Sequence, residues 1–191
     1  MKFHRRHYRP QVDQMDCGVA SLAMVFGVYG SYYSLAHLRE LAKTTMEGTT
    51  AFGLVRVAEE LGFETRAIRA DMSLFDMEDI SYPFITHVLK DGKLMHYYVV
   101  TGQDKNAIHI ADPDPTVKMT KMPRERFESE WTGVTIFLAP TPDYKPHKDA
   151  KNGLFSFLPI LTKQKGLIAN IILATLLVTI INICLLYTSP S

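Results

Sequence analysis

One of the two cysteines, Cys17, lies in a segment whose residues suit nucleophilic chemistry. After Asp16 the apolar residues Val19, Leu22 and Phe26 recur at spacings of three and four, which predicts a buried helix that begins at or beside Cys17. Free N–H groups and the positive dipole end of a helix N-terminus favour thiolate over thiol, and thiolate is the form that attacks carbonyl carbon. Packing is the alternative, since a cysteine followed by apolar residues is usually a small core residue.

A cysteine nucleophile needs an imidazole base, a group that orients the imidazole, and donors for the developing oxyanion. Gln11, six residues before the cysteine, carries a side-chain amide that could be such a donor. Periodicity leaves two histidines open as the base, His87 and His96, on neighbouring predicted strands. Asp112 ends a later strand at Pro113, where a rigid turn would hold its carboxylate against an imidazole, although aspartate before proline is more often simple turn chemistry.

The elements that would position these groups form an α+β arrangement, with helices first and antiparallel strands after them. Beyond the cysteine helix, a second helix is predicted after Ser34 and a third after Thr49 or Thr50, because hydroxyl side chains suit the N-cap. Gly62 is a plausible end of the third helix. The N-terminal half is therefore expected to be helical.

From residue 63 the apolar period changes toward two, which predicts strands. Asp91-Gly92 makes a hairpin of the second and third strands, and a short helix is expected around Arg124 to Trp131. On the third strand, alternation places His96 and Tyr98 on one face and Tyr97 on the other. The predicted strands are Phe63–Arg69, Pro83–Leu89, Leu94–Thr101, Ala107–Ala111 and Val134–Leu138.

Three stretches follow the pattern of one peptidase family: Gln11 with Asp16-Cys17-Gly18 and Ala20, then His96-Tyr97-Tyr98-Val99-Val100, then Ala111-Asp112-Pro113. On these residues, and over about residues 8–140, the chain resembles the papain-like cysteine peptidase domain at the N-terminus of peptidase-containing ABC transporters. These are the exporters of bacteriocins and competence peptides. The resemblance implies a papain-like α+β fold with Cys17 as nucleophile, His96 as base and Asp112 as its orienter. It also implies an oxyanion hole made by Gln11 and the Cys17 backbone N–H.

The function implied by the resemblance is removal of the leader from small secreted precursor peptides, by cleavage after a Gly-Gly pair, coupled to export. A non-cleaving, peptidase-like docking module that binds the export substrate is the alternative, and loss of the cysteine would mark it. No metal or cofactor is expected for these residues, which contain no G-x4-G-K-[ST] loop. For the full-length transporter, the resemblance implies ATP and a homodimer.

A Gly-Gly rule could be enforced by a channel whose walls exclude any residue with a Cβ atom. Tyr97, Tyr98 and Trp131 are the candidates for those walls. Two glycines bury little surface, so affinity would come from an amphipathic leader helix lying on a hydrophobic surface of the domain.

Charge and cysteine usage narrow the partners and the compartment. The chain has 21 basic and 20 acidic residues, a balance that gives no electrostatic case for nucleic acid. Cys184 lies in an apolar run unlike the surroundings of Cys17, so no disulfide is predicted, and a reducing, cytosolic setting fits the thiol. Asp13 and Asp16 interrupt the weak likeness of the N-terminus to a secretory signal.

The C-terminal part differs in kind from what precedes it. Residues 1–140 are expected to form the peptidase domain, residues 141–152 a polar linker, and residues 153–191 the start of a truncated transmembrane domain. The 22 uncharged residues Gly166–Tyr187 would span about 33 Å as a helix, enough for a hydrocarbon core of about 30 Å. Lys151, Lys163 and Lys165 precede this segment, which predicts a plasma-membrane protein with the peptidase on the cytoplasmic side.

Overall fold

The computed structural model describes residues 2–149 and 165–188. The chain divides into two compact units, Met1–Asp149 and Ala150–Ser191. The first unit begins with three α-helices and continues as an antiparallel sheet, which confirms the predicted α+β fold. The α-helices are α1 (Cys17–Val28), α2 (Leu35–Ala42), α3 (Ala51–Glu60) and α4 (Arg124–Glu130) in the first unit and α5 (Lys165–Thr188) in the second.

Six strands form one sheet in the order β1-β6-β2-β3-β4-β5, and every neighbouring pair is antiparallel. The five predicted strands are confirmed with shifted ends, as is the hairpin, in which Asp91 and Gly92 take positive φ angles of 52° and 68°. The strands are β1 (Phe63–Arg69), β2 (Phe84–Lys90), β3 (Leu94–Gln103), β4 (Ala107–Ala111), β5 (Met119–Pro123) and β6 (Trp131–Pro140).

Helix α1 is the central element of the helical layer, and all twelve of its residues are buried. It packs against α2, α3 and β3. A Cβ on Gly18 would lie 3.2 Å from Thr49 Cβ and 3.4 Å from Tyr97 Cδ2, so glycine allows the start of α1 to approach α3 and the sheet closely. The predicted N-caps of the other two helices are present. Ser34 Oγ accepts a hydrogen bond from the backbone N–H of His37 in α2, and Thr50 Oγ1 accepts one from the backbone N–H of Gly53 in α3.

The sheet separates two hydrophobic clusters, and alternate residues of β3 belong to different ones. Tyr97 packs in the same cluster as Cys17 and α1. Tyr98 packs in the other cluster, where its hydroxyl donates to Glu130 Oε2 at 2.7 Å, and Trp131 packs against that cluster too. The alternation predicted for β3 is therefore confirmed. The prediction that Tyr98 and Trp131 wall a channel beside Cys17 is wrong, because both contribute to the core on the opposite side of the sheet.

Residues 141–149, predicted as the first part of a linker, instead pack on the helical layer. The ring of Tyr144 lies 4.7 Å from that of Phe63, and its hydroxyl is bonded to Ser31 Oγ at 2.5 Å. The backbone of Tyr32 donates to His147 O at 2.7 Å and accepts from the N–H of Asp149 at 2.8 Å. The linker prediction is wrong for residues 141–149. A polar composition with prolines does not reveal that Tyr144 packs on Phe63 or that the backbone pairs with Tyr32. Residues 150–152 lie outside the described residues.

Helix α5 covers the predicted apolar segment. Its span Lys165–Cys184 is long and apolar enough, by length and composition, to cross a membrane. Most of its large apolar side chains, among them Leu167, Ile171 and Ile183, are more than half exposed in the structure.

The packing of residues 141–149 gives a test of where the first unit ends. A chain ending at Asp149 should be soluble and as stable as the first unit of the whole chain. A chain ending at Pro140 should lose the burial of Tyr144, about 2 kcal/mol, and its Tm should fall by about 4–8 °C. Thermal unfolding followed by circular dichroism measures both. Equal Tm values for the two chains would show that residues 141–149 contribute no stability.

Candidate active site

The first turn of α1 and the first half of β3 bring Cys17 and His96 together. Cys17 opens α1 and is 5% exposed, and His96 is 3% exposed. The two side chains are near enough for Cys17 to raise the pKa of the His96 imidazole. The thiol therefore lies where the sequence predicts it, at a helix N-terminus, with an imidazole against it.

Asp112 follows the last residue of β4 and completes the array. Its Oδ1 lies 2.6 Å from His96 Nε2, and its side chain is fully buried. The imidazole therefore turns its other nitrogen, Nδ1, toward Cys17. The register that pairs Val99 of β3 with Ala111 of β4 places Asp112 just past the end of β4, beside the half of β3 that carries His96.

The surroundings of His96 favour its protonated form. Burial by itself lowers the pKa of the imidazole, but hydrogen bonds to Asp112 and Cys17, together with their negative charges, outweigh burial and raise the pKa to about 9. An imidazolium at neutral pH is the partner that a thiolate needs, so the site is built for a thiolate–imidazolium pair.

Gln11 is tied to the same turn as Asp112. Its backbone N–H donates to Pro113 O at 2.9 Å, and the Tyr8 hydroxyl donates to Asp114 O at 3.2 Å. The Oε1 atom of Gln11 is buried and has no hydrogen-bond partner among the residues described. A buried amide oxygen without a partner is uncommon.

Asp16 has a structural role that was not predicted from the sequence. Its buried Oδ2 accepts from the backbone N–H groups of Val12 at 3.2 Å and Asp13 at 3.0 Å. Arg39 of α2 donates to both carboxylate oxygens in a bidentate ion pair. Asp16 therefore fixes the loop from Gln11 to the start of α1, and an aspartate at the predicted helix start was the available signal for it.

His87, the other histidine that the sequence left open, lies apart from Asp112. Its Nδ1 is 3.0 Å from Thr132 Oγ1, and its ring packs edge-on against Tyr97 with centroids 5.1 Å apart. Burial, with a smaller effect of the His96 charge, lowers the pKa of His87. His87 is therefore held neutral as a core histidine, whereas His96 has the geometry of a base.

No group of three His, Cys, Asp or Glu side chains in residues 2–149 and 165–188 is arranged to hold a metal ion. The chemistry available at the site is that of the thiol, the imidazole and the carboxylate, with amide donors around them.

Residues 5–143 match the model of the Peptidase C39 family. The chain therefore belongs to this family of cysteine peptidases, and the family resemblance seen in the sequence is confirmed. The transport/processing ATP-binding protein ComA of Streptococcus pneumoniae R6 is 80% identical over 183 residues, which are 96% of this chain and 26% of ComA. The lactococcin-A transport/processing ATP-binding protein LcnC of Lactococcus lactis is 55% identical over the same share of both chains. This chain thus spans about a quarter of the length of these relatives.

Two solved structures share the fold of the first unit. The peptidase domain of Streptococcus ComA, a bifunctional ABC transporter involved in quorum sensing, is 60% identical with a TM-score of 0.68, over 70% of this chain and 97% of that one. A double-glycine-motif protease from an AMS/PCAT transporter, in complex with a leader peptide, is 27% identical with a TM-score of 0.62. That alignment covers 69% of this chain and 89% of the protease.

The Asp16–Arg39 pair predicts a measurable cost for losing one partner. Arg39→Met leaves a buried carboxylate without its counter-ion, which costs about 3–5 kcal/mol for a fully buried pair. We expect about 2–3 kcal/mol here, because Arg39 is 39% exposed and solvent screens its charge. Urea unfolding of the variant measures the loss.

A double-mutant cycle is the control for this prediction. Asp16→Asn combined with Arg39→Met removes both charges, and it should recover part of the lost stability. An Arg39→Met protein that unfolds at the same urea concentration as the parent would contradict the assignment.

Proposed function

We propose that this chain is a cysteine endopeptidase that removes the leader from small secreted precursor peptides by cleaving after a Gly-Gly pair. The observation that carries the proposal is the buried array of Cys17, His96 and Asp112 at the start of a helix. The similarity of the chain to transport/processing proteins supports a role coupled to export. The non-cleaving docking module is disfavoured, because the thiol and its imidazole are both in place.

The mechanism follows from the atoms in contact. Cys17 as thiolate attacks the scissile carbonyl carbon, and His96 then protonates the leaving amine, so that an acyl-enzyme forms. Water activated by the neutral His96 hydrolyses the thioester and restores the pair. Asp112 holds the imidazole with Nδ1 toward the sulfur. The Gln11 amide and the Cys17 backbone N–H would receive the oxyanion of each tetrahedral intermediate.

Recognition of the leader would involve apolar surface near Cys17. Three large apolar side chains are exposed on segments close to the start of α1: Val12 at 81%, Met46 at 85% and Phe52 at 76%. Phe52 lies in the first turn of α3, whose N-terminal end packs against Gly18. Exposed apolar side chains on segments near a catalytic site suit the apolar face of an amphipathic helix. The related protease solved with a leader peptide supports this choice of substrate.

Membrane anchoring and assembly belong to the same proposal. Helix α5 would cross the plasma membrane, with Lys165 at its start and the peptidase on the cytoplasmic side. The full-length protein would be a homodimeric exporter that uses ATP. The peptidase would then cut each precursor at the cytoplasmic entrance of the export path.

Substitutions in the array should separate chemistry from packing. Cys17→Ala should abolish cleavage of a Gly-Gly leader peptide while leaving the fold intact, and His96→Ala should do the same. Gln11→Ala should lower kcat by about 10²–10³ with little change in KM, the scale of one lost oxyanion donor. Steady-state kinetics on a synthetic precursor peptide measures all three.

His87→Ala is the matched control, since this histidine is half-buried on the strand next to that of His96 but contacts Thr132 instead of Asp112. It should retain turnover. Inactivity of the His87 variant with activity in the His96 variant would show that the wrong histidine has been assigned. Residual cleavage by Cys17→Ala above about one part in a thousand would exclude cysteine as the nucleophile.

The proposed substrate makes a second set of predictions. Alanine at either glycine before the cut should lower kcat/KM at least tenfold, about 1.4 kcal/mol in transition-state binding. A peptide trimmed to the residues flanking the cut should be nearly inert, because it lacks the leader helix. Phe52→Ser should raise KM for the full leader peptide and leave the slow cleavage of the trimmed peptide unchanged. A trimmed peptide that is cut as well as the full precursor would identify a general peptidase instead.

A further inference from the structure

Lys90, the last residue of β2, brings a cation to the turn that carries Asp112. Its side chain is 14% exposed, and Nζ donates to Asp112 Oδ2 at 3.0 Å and to Asp114 Oδ2 at 3.2 Å. Lysine is rarely buried to this extent without a partner. Here both partners belong to the turn whose first carboxylate faces His96.

Strand pairing explains why Lys90 reaches this turn. In the β2–β3 hairpin Val88 lies directly opposite His96, so the two side chains share a face of the sheet. Lys90 is two residues beyond Val88 on the same strand and therefore points to that face as well. The hairpin thus delivers a base and a cation to the same carboxylate from adjacent strands.

The two oxygens of Asp112 have separate donors. Oδ1 receives His96 Nε2 at 2.6 Å and the backbone N–H of Asp114 at 2.8 Å, whereas Oδ2 receives Lys90. Rotation of the carboxylate would break at least one charge-assisted hydrogen bond in a fully buried place. The plane of the carboxylate is therefore fixed, and the orientation of the imidazole follows from it.

We propose that Lys90 is a positioning residue of the active site, which locks the Asp112 carboxylate toward His96 and offsets part of its negative charge. The inference rests on the proposed peptidase function, because it concerns the same imidazole. Lys90 acts through Asp112 and is not itself a catalytic residue.

Lys90 is charged at neutral pH. Burial lowers its pKa, but the hydrogen bonds and charges of Asp112 and Asp114 outweigh burial, and the net direction is upward. A fixed cation so close to His96 disfavours the imidazolium, so Lys90 counteracts part of the effect of Asp112. Loss of the cation should therefore raise the pKa of His96, and loss of the Asp114 charge should lower it.

Other charged and titratable groups lie around this turn. A cavity of about 160 Å³ beyond Asp112 is lined by Lys90 and by Tyr98, Lys121 and Arg126. Arg126 donates to Glu130 at 2.9 Å and Lys121 to Asp104 at 2.8 Å, while the Tyr98 hydroxyl is bonded to Glu130. From the N-terminal segment the Tyr8 hydroxyl contacts the turn through Asp114 O, and Cys17 faces the far side of the imidazole.

The test is a histidine titration followed by NMR of ¹³C-labelled imidazole in the full chain in detergent, with His96 assigned by its loss in His96→Gln. Lys90→Met should raise the pKa of His96 by about 0.5 pH unit or more, because it removes a unit positive charge bonded to the carboxylate that His96 also contacts. Lys90→Arg keeps the charge and should leave the titration within about 0.3 pH unit of the parent. Lys121→Met, which removes a lysine paired with a different carboxylate, is the matched control and should also leave it unchanged.

Asp114→Asn gives the opposite sign and guards against a folding defect in the lysine variant. Its side chain can still accept hydrogen bonds, so the turn should form, and the pKa of His96 should fall. A group that only fills space would shift neither titration. Folded Lys90→Met and Asp114→Asn proteins whose His96 titrates as in the parent, or shifts with the reverse signs, would overturn the proposal.

Alkylation by iodoacetamide separates this result from the fate of the proposed function. If Cys17 of the parent protein reacts rapidly at pH 6, where an ordinary thiol is almost inert, the thiolate–imidazolium pair exists. Slow alkylation of Cys17 at pH 6 would contradict the proposed peptidase function. The role of Lys90 is judged independently, by the difference in His96 titration between the variants and the parent.

Discussion

The buried carboxylate of Asp112 is the constraint on which the rest of the site depends. A charge taken out of water costs several kcal/mol unless donors surround it. Asp112 has three, and they come from β3, from β2 and from the turn that follows β4. The array can form only when three strands are paired in the correct register, so the sheet is a condition for the chemistry and not merely a support for it.

A second buried aspartate, Asp16, fixes the start of α1, as Asp112 fixes the position of His96 on the sheet. Asp16 collects two backbone donors and a bidentate arginine immediately before Cys17. The segment from Gln11 to Asp16 is therefore fixed at both ends. The Pro113 carbonyl binds the backbone N–H of Gln11 at one end, and the Asp16 carboxylate lies at the other. Cys17 and Gln11 are positioned by two anchors, one in each layer of the fold.

Local patterns were enough to predict the helices, their caps and the hairpin, because each depends on periodicity or on a short motif. They did not choose between His87 and His96, and the choice of His96 came from the family resemblance. What failed depends on distant contacts. β5 is an edge strand with a single buried side chain, Met122, so it has almost no alternation to detect. Alternation places Tyr97 and Tyr98 on opposite faces of the sheet, but which face packs with Cys17 depends on how α1 lies against the sheet. The local sequence does not single out Lys90, since its carboxylate partners lie more than twenty residues away.

Asp16 and His96 also set the pH range in which the fold is stable and the site carries the charges that it needs. Burial opposes ionisation of Asp16, but Arg39 and the two N–H donors outweigh it and lower its pKa, so its contribution to stability is complete above about pH 4 and is lost on acidification. His96 is shifted the other way: its contribution is complete below about pH 6.5 and is lost as pH rises through its folded pKa of about 9. Near neutral pH the Asp16 carboxylate is ionised and the His96 imidazole still holds its proton. The interactions that stabilise the fold are thus in the same protonation state that attack by a thiolate requires.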